Sequence, residues 1–179
     1  MMKAAIVQTL GKPPVLGQFA EPIPIAGETV VNVIAAGIKQ LDRAIVRGTH
    51  YSSPKILPIV PGTDGIGSLS DGSRVYFASF RPPFGAMAEK AVASWYVPVP
   101  PEVNDATAAA LINPGLAAWL PLVWRAKIQP GETVLIMGAT APPANWLSLP
   151  RVILVRVELL RRAGVRRFWQ HWGPMPRWI

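Results

Sequence analysis

Residues 129–140 read QPGETVLIMGAT, a turn that leads into an apolar run and then a glycine. The run over residues 133–137 has no polar interruption after its first residue, which is typical of a parallel strand buried on both faces. Gly138 follows at once, as it does where a βαβ nucleotide-binding unit opens. The sequence therefore predicts that a parallel α/β segment begins here.

Upstream of this segment, short apolar runs alternate with glycine and proline turns. Four of these runs predict strands, over residues 3–8, 29–36, 72–77 and 86–92. The glycine- and proline-rich residues 58–67 are predicted as turns rather than a strand. Short strands separated by such turns predict a small β-barrel or sandwich.

Three helices are predicted in the same way. Apolar spacing indicates a helix over residues 39–47 that stops at Gly48, and two more follow over residues 107–111 and 115–126. Asn104 or Asp105 is expected to cap the first of the later pair through its side-chain oxygen.

Composition changes sharply near residue 140. Residues 1–140 hold 11 Lys and Arg against 9 Asp and Glu, whereas residues 141–179 hold 7 Arg and one acid. The net charge of +8 therefore lies mostly in the tail, which also carries four of the seven tryptophans. The body of the chain gives no reason to expect a nucleic-acid or membrane partner. With no uninterrupted apolar run of about 18 residues and no leader-like start, we expect a cytoplasmic protein.

Six motifs in a fixed order resemble the zinc-free, quinone oxidoreductase-like branch of the medium-chain dehydrogenase/reductase superfamily. They are Ala36-Gly37 followed by Asp42, Gly48 and Tyr51; VPGTDGIG at 60–67; GSRV at 72–75; GAMAE at 85–89; NPGLAAW at 113–119; and QPGETVLIMGAT at 129–140. The resemblance implies a GroES-like catalytic β-domain over residues 1–112 and the start of a Rossmann domain over residues 113–140. The expected fold is thus mixed α and β, a GroES-like β-barrel followed by a truncated Rossmann-type α/β segment.

Zinc-dependent members of that superfamily carry a cysteine where this chain has Lys39, and Gly-His-Glu where it has Gly62-Thr63-Asp64. Because Lys39 and Thr63 are poor zinc ligands and the chain has no cysteine, we expect no metal site. Lys39 itself is expected to be a solvated charge. The resemblance then implies hydride transfer from NADP(H) to a quinone or an activated alkene, with a possible homodimer in the complete family member.

The resemblance also implies site residues. Tyr51 and Asp42 are the catalytic candidates, although Tyr51 could equally pack and Asp42 could cap a helix or form a local ion pair. Asn113 lies where the family approaches the nicotinamide, and Gly138, Ala139 and Thr140 begin the turn for the cofactor's phosphates. His50 is expected to be a surface-loop histidine.

The family pattern stops after Thr140. No second glycine follows, and Pro142 and Pro143 lack the N–H groups that would bind phosphate. If each codon's last base is read with the next codon's first two, residues 141–146 are compatible with GASGKL. Residues 154–164 are likewise compatible with LGAGRVVAAGR. Both strings are typical of the family, so residues 141–179 are interpreted as a frameshifted tail, and binding of NADP(H) by this chain is doubtful.

Other interpretations remain open. The tail could be genuine, with a basic amphipathic helix over residues 151–168, and the chain could then be a binding module whose Arg- and Trp-rich tail contacts nucleic acid or an anionic surface. In that case arginines would neutralise phosphates and tryptophans would stack on bases. The chain could also be a non-functional remnant.

Overall fold

The computed structural model describes residues 1–129, 131–137 and 152–156. The chain divides into two compact units, Met1–Ala117 and Ala118–Ile179. The strands, in chain order, are β1 (Met2–Ile6), β2 (Val15–Phe19), β3 (Thr29–Ala35), β4 (Asp64–Ser68), β5 (Arg74–Ala78), β6 (Lys90–Ala93), β7 (Trp95–Pro98), β8 (Thr133–Met137) and β9 (Val152–Arg156). The helices are α1 (Gln40–Arg47) and α2 (Asp105–Leu120), which continues into a π-helical turn over Pro121–Arg125.

The first unit is built on an antiparallel sheet of five strands in the order β6-β3-β4-β5-β7. Strands β1 and β2 form a separate antiparallel pair. Isolated bridges from Ala4 to Ala88 and from Val7 to Ile59 connect that pair to the rest of the unit. The mixed α and β fold is confirmed, but the predicted barrel is not closed among the described residues. A closed barrel needs continuous ladders around its circumference, and here single bridges stand where a ladder would be.

Strand β4 occupies a segment that was predicted as turns, and that prediction was wrong. Its two glycines are not loop glycines: they allow neighbouring backbones to approach closely. A Cβ on Gly67 would lie 2.4 Å from Val31 Cγ1 and 2.5 Å from the Asn32 carbonyl oxygen. The core beside this strand is formed by buried side chains that include Val31 and Phe77.

Replacing Gly67 by alanine is therefore expected to lower the free energy of unfolding by about 1–3 kcal/mol, because the new methyl group has no space. Gly115→Ala is the matched control, since nothing lies within 4 Å of a Cβ there and the residue is helical. That change should raise stability by about 0.5–1 kcal/mol. Denaturant unfolding of both variants measures the difference, and equal effects would contradict this packing.

Helix α1 and the start of α2 agree with the predicted signals. Gly48 ends α1 in the left-handed conformation with φ of 77°, and Asn104 Oδ1 accepts a hydrogen bond from the Thr107 N–H at 2.9 Å. The two later helices, predicted as separate, form one continuous helix through Pro114. The π-helical turn then begins at Pro121, where the proline removes a backbone donor.

Helix α2 together with its π-helical turn spans 21 residues, Asp105–Arg125, with a mean hydropathy of 1.4. By length and composition it could cross a membrane, and 11% of its most apolar window is buried. No membrane segment was predicted, because the sequence has no uninterrupted apolar run of sufficient length. This helix was missed because its apolar residues are interrupted by a few polar ones. One helix of this kind is weak support for a membrane segment, because core helices of soluble proteins have the same length and composition.

Strand β8 pairs with β9 in an antiparallel register, with Leu135 opposite Leu154. The prediction of a parallel strand at residues 133–137 was therefore right about the strand and wrong about its direction of pairing. Residues 152–156 likewise form a strand where an amphipathic helix was considered. Alternating side chains in a short apolar run suit either structure, so sequence periodicity alone could not distinguish them. Gly138, Ala139 and Thr140 lie outside the described residues.

Candidate functional site

Four buried polar side chains meet where α1, β4 and β5 come together. We call them the ion cluster: Lys39, Asp42, Asp64 and Tyr76. The side chains of Lys39, Asp42 and Asp64 are 9%, 1% and 2% exposed. Charged groups removed from water to this degree are tolerated only when they are paired and hydrogen-bonded.

Lys39 supplies the positive charge of the cluster. Its Nζ donates to the Asp64 carboxylate and, at 3.0 Å, to the Gly37 carbonyl oxygen. Asp42 Oδ2 lies 3.6 Å from the same nitrogen. The expectation that Lys39 is a solvated charge was wrong, because the fold places it between two carboxylates.

Asp42 is held by hydrogen bonds on both of its oxygens. Oδ1 accepts from the Thr63 N–H at 2.9 Å and from the Thr63 hydroxyl at 3.1 Å, while Oδ2 accepts from the Lys39 N–H at 2.9 Å. These bonds fix the first turn of α1 against the start of β4. Asp42 thus forms the local ion pair and the helix-terminal hydrogen bond that were considered as alternatives to a catalytic role. The catalytic role itself stays a prediction.

Tyr76 extends the cluster towards α2. Its hydroxyl donates to Asp64 Oδ2 at 2.6 Å, and the Asn113 side chain hydrogen-bonds the same hydroxyl. The Tyr76 ring also meets Trp95 edge to face, with centroids 5.9 Å apart. Burial, followed by the bond to Asp64, raises the pKa of Tyr76 above its usual value. The phenol therefore stays protonated and acts as a fixed donor.

Beside the cluster, a cavity of about 410 Å³ opens between α1, the loop after it and the loop after β5. Its apolar lining includes Leu41, Ile45 and Phe84. Thr63 lines the cavity and also donates to Asp42, so it joins the cavity to the ion cluster.

Tyr51 stands at the rim of this cavity. Its side chain is 96% exposed, and its ring lies 4.2 Å, centroid to centroid, from that of His50, which also lines the cavity. Packing is thus not the role of Tyr51, whose ring is open to solvent. The sequence analysis predicted a surface-loop histidine at position 50, and no sequence pattern indicated that it lies beside a cavity.

The predicted site residues fall into two groups. Asp42 and Asn113 belong to one hydrogen-bonded network through Lys39, Asp64 and Tyr76, while Tyr51 lies apart at the cavity. The comparison with zinc-dependent members of the resembling family could have indicated the network of Lys39, Asp64 and Tyr76. Lys39 and Asp64 replace two residues that zinc-dependent members bring together, and their charges are opposite.

The donor set of the cluster also bears on metal binding. Within the residues that the structure describes, no three His, Cys, Asp or Glu side chains are grouped to hold a metal ion. The Lys39 ammonium already contacts both carboxylates, and a cation in that place opposes the binding of a second one.

Comparison with the models of known protein families finds no match. Among curated proteins, pig quinone oxidoreductase is 32% identical over 155 residues, which cover 78% of this chain and 46% of the pig protein. The human quinone oxidoreductase is 30% identical over the same length and the same shares. The chain thus spans about half the length of the curated relatives it matches.

Solved structures give the same result. The quinone oxidoreductase of Thermus thermophilus, whose structure was also determined in complex with NADPH, is 30% identical with a TM-score of 0.63. The match covers 73% of this chain and 42% of that one. A mycobacterial quinone oxidoreductase is 26% identical with a TM-score of 0.65, over 74% of this chain and 44% of its own.

Proposed function

Because this chain is a homologue of the quinone oxidoreductases of the medium-chain dehydrogenase/reductase family over about three quarters of its length, we propose that it carries the substrate-binding half of an NAD(P)H-dependent reductase of quinones or activated alkenes. The observation that carries the proposal is the apolar cavity with Tyr51 at its rim. It lies within the described first unit, so its geometry does not depend on the tail.

The cavity suits a flat apolar molecule with a carbonyl group. Small-molecule sites are mostly apolar with a few polar groups that fix orientation. Ring-sized apolar surface is available from Leu41, Ile45 and Phe84, while the Tyr51 hydroxyl has no protein partner among the described residues. That hydroxyl can donate to a substrate carbonyl, which is the role proposed for Tyr51.

The cofactor side does not fit a dinucleotide. A pyrophosphate is bound by the backbone N–H groups of a glycine turn at a helix N-terminus, beyond the carboxyl end of a parallel strand. Here β8 is paired antiparallel, and the sequence that directly follows Gly138 has no second glycine and includes Pro142 and Pro143, which have no N–H to donate. NADP(H) is therefore assigned to the family and not to this chain.

We further propose that the family's second half was lost by a change of reading frame after codon 140. The match to the pig protein covers 78% of this chain and so leaves about a fifth of it outside the similarity, a share as large as the 39-residue tail. The compatibility of residues 141–146 with GASGKL supports it independently. The domain boundaries at residues 112 and 140 stay predictions.

Substrate binding tests the proposed function directly. The purified chain is expected to bind menadione, a simple quinone, and Tyr51→Phe should weaken that binding about fivefold, since a hydrogen bond contributes about 1 kcal/mol. Isothermal titration calorimetry measures the menadione affinity of both proteins.

Tyr96→Phe is the matched control, since Tyr96 is 44% exposed on β7 and does not line the cavity. Its menadione affinity should be unchanged. Absence of saturable menadione binding by the unmodified chain would refute the proposal.

A further inference from the structure

The loop that carries His50 contacts one of its two ring nitrogens. Its Nδ1 accepts a hydrogen bond from the Ser52 backbone N–H at 3.2 Å and lies 2.6 Å from the Ser52 hydroxyl oxygen. A backbone N–H can only donate, so Nδ1 must present a lone pair. In the neutral imidazole the proton is then on Nε2.

The remaining cavity hydroxyls are already engaged within the protein. Thr63 donates to Asp42, and the Ser79 hydroxyl donates to the Phe84 carbonyl oxygen at 3.1 Å. The Ser52 hydroxyl is occupied with His50. By contrast, the Nε2–H of His50 has no partner in the part of the chain that the structure describes.

We propose that the Nε2–H of His50 is a second substrate-binding donor, which holds a carbonyl oxygen of the molecule in the cavity. The inference rests on the proposed function and extends it from Tyr51 to a residue with no assigned role. A donor whose direction is set by its other ring nitrogen is preorganised, so little rotational freedom is lost when the substrate binds. The exposed Tyr51 ring lies beside the imidazole, with ring centroids 4.2 Å apart, so both donors stand at the same rim of the cavity.

The donor has a chemical consequence as well as a binding one. A hydrogen bond to a carbonyl oxygen draws electron density from the carbonyl and stabilises the negative charge that develops there when the molecule is reduced. His50 thus selects carbonyl-bearing ligands over hydrocarbons of the same shape.

A comparison of two ligands and two proteins tests the proposal. Menadione and methylnaphthalene share a flat bicyclic body, but only menadione has carbonyl groups. His50→Phe keeps a planar ring and removes the donor. It should weaken menadione binding about fivefold and leave the affinity for methylnaphthalene within about twofold, because one net hydrogen bond is lost.

Nitrogen NMR of the imidazole rings provides a readout that loss of packing would not produce. The chain has two histidines, so His171→Phe assigns the signals and serves as the control for affinity. In the free protein the His50 proton is expected on Nε2, and menadione but not methylnaphthalene should shift that resonance.

The outcomes separate the two proposals. If neither ligand binds, the proposed function is wrong and the role of His50 is wrong with it. Suppose that both ligands bind and that His50→Phe either weakens both equally or weakens neither. The cavity is then still supported as a binding site, and the His50 proposal is overturned. A proton found on Nδ1 would overturn it as well.

Discussion

Lys39→Met is expected to lower the free energy of unfolding by about 3–5 kcal/mol, the cost of breaking a buried ion pair by removing one partner. The ammonium lies between Asp64 and Asp42, whose side chains are 2% and 1% exposed. Methionine has a similar length but no charge, so two buried carboxylates would be left without their cation. Denaturant unfolding of the variant and the parent measures the change.

Lys90→Met is the matched control, because Lys90 pairs with Glu21 at 2.5 Å with side chains 38% and 41% exposed. Solvent screens such a pair, and its loss should cost far less stability than the loss of the buried Lys39 ammonium. Adding Asp64→Asn to Lys39→Met should recover part of the lost stability, since it removes one unpaired charge. Equal effects of Lys39→Met and Lys90→Met would show that the ion cluster does not stabilise the fold.

The ion cluster also shows what the sequence could and could not predict. The helix over α1 and its end at Gly48 were predicted, because apolar spacing and a left-handed glycine are local signals. The burial of Lys39 was not predicted, because it depends on a contact with Asp64, which is 25 residues further along the chain and lies on strand β4. Strand β4 was missed because of Gly65 and Gly67. In a sequence, glycines that allow close approach of neighbouring backbones cannot be distinguished from glycines in a turn.

Pairing between distant segments limited the rest of the fold prediction. The strand at residues 133–137 was predicted from its own apolar run, whereas its antiparallel partner β9 lies in a segment that carries no family signal. Among the site residues, Tyr51 was predicted through the resemblance and lies at the cavity. His50 was missed because a single histidine in a loop has no pattern, and the role proposed for it depends on its Ser52 contacts and on its place in the cavity lining.

The chain as written is expected to show no turnover of NADPH. Hydride transfer requires a nicotinamide held about 3–3.5 Å from the acceptor, and orientation of that kind contributes roughly 7–11 kcal/mol to lowering the barrier. In the sequence, Pro142 and Pro143, which have no backbone N–H, stand where the family's glycine-rich pattern would continue. If the proposed function is right, menadione should still bind in the cavity although NADPH is not turned over.

The gene read in the other frame from codon 141 is expected to restore activity, since GASGKL would return the glycine turn and the helix that follows it. A variant of the restored protein in which the glycine of GASGKL that directly follows Thr140 becomes proline is the control. It should lose NADPH binding while it retains menadione binding.

The most direct test measures NADPH oxidation in the presence of menadione by the present chain and by the frame-restored protein side by side. We expect no activity above background from the present chain and robust turnover from the restored protein. Turnover by the present chain would contradict the assignment of residues 141–179 as a frameshifted tail, and inactivity of a folded restored protein would contradict the reductase assignment itself.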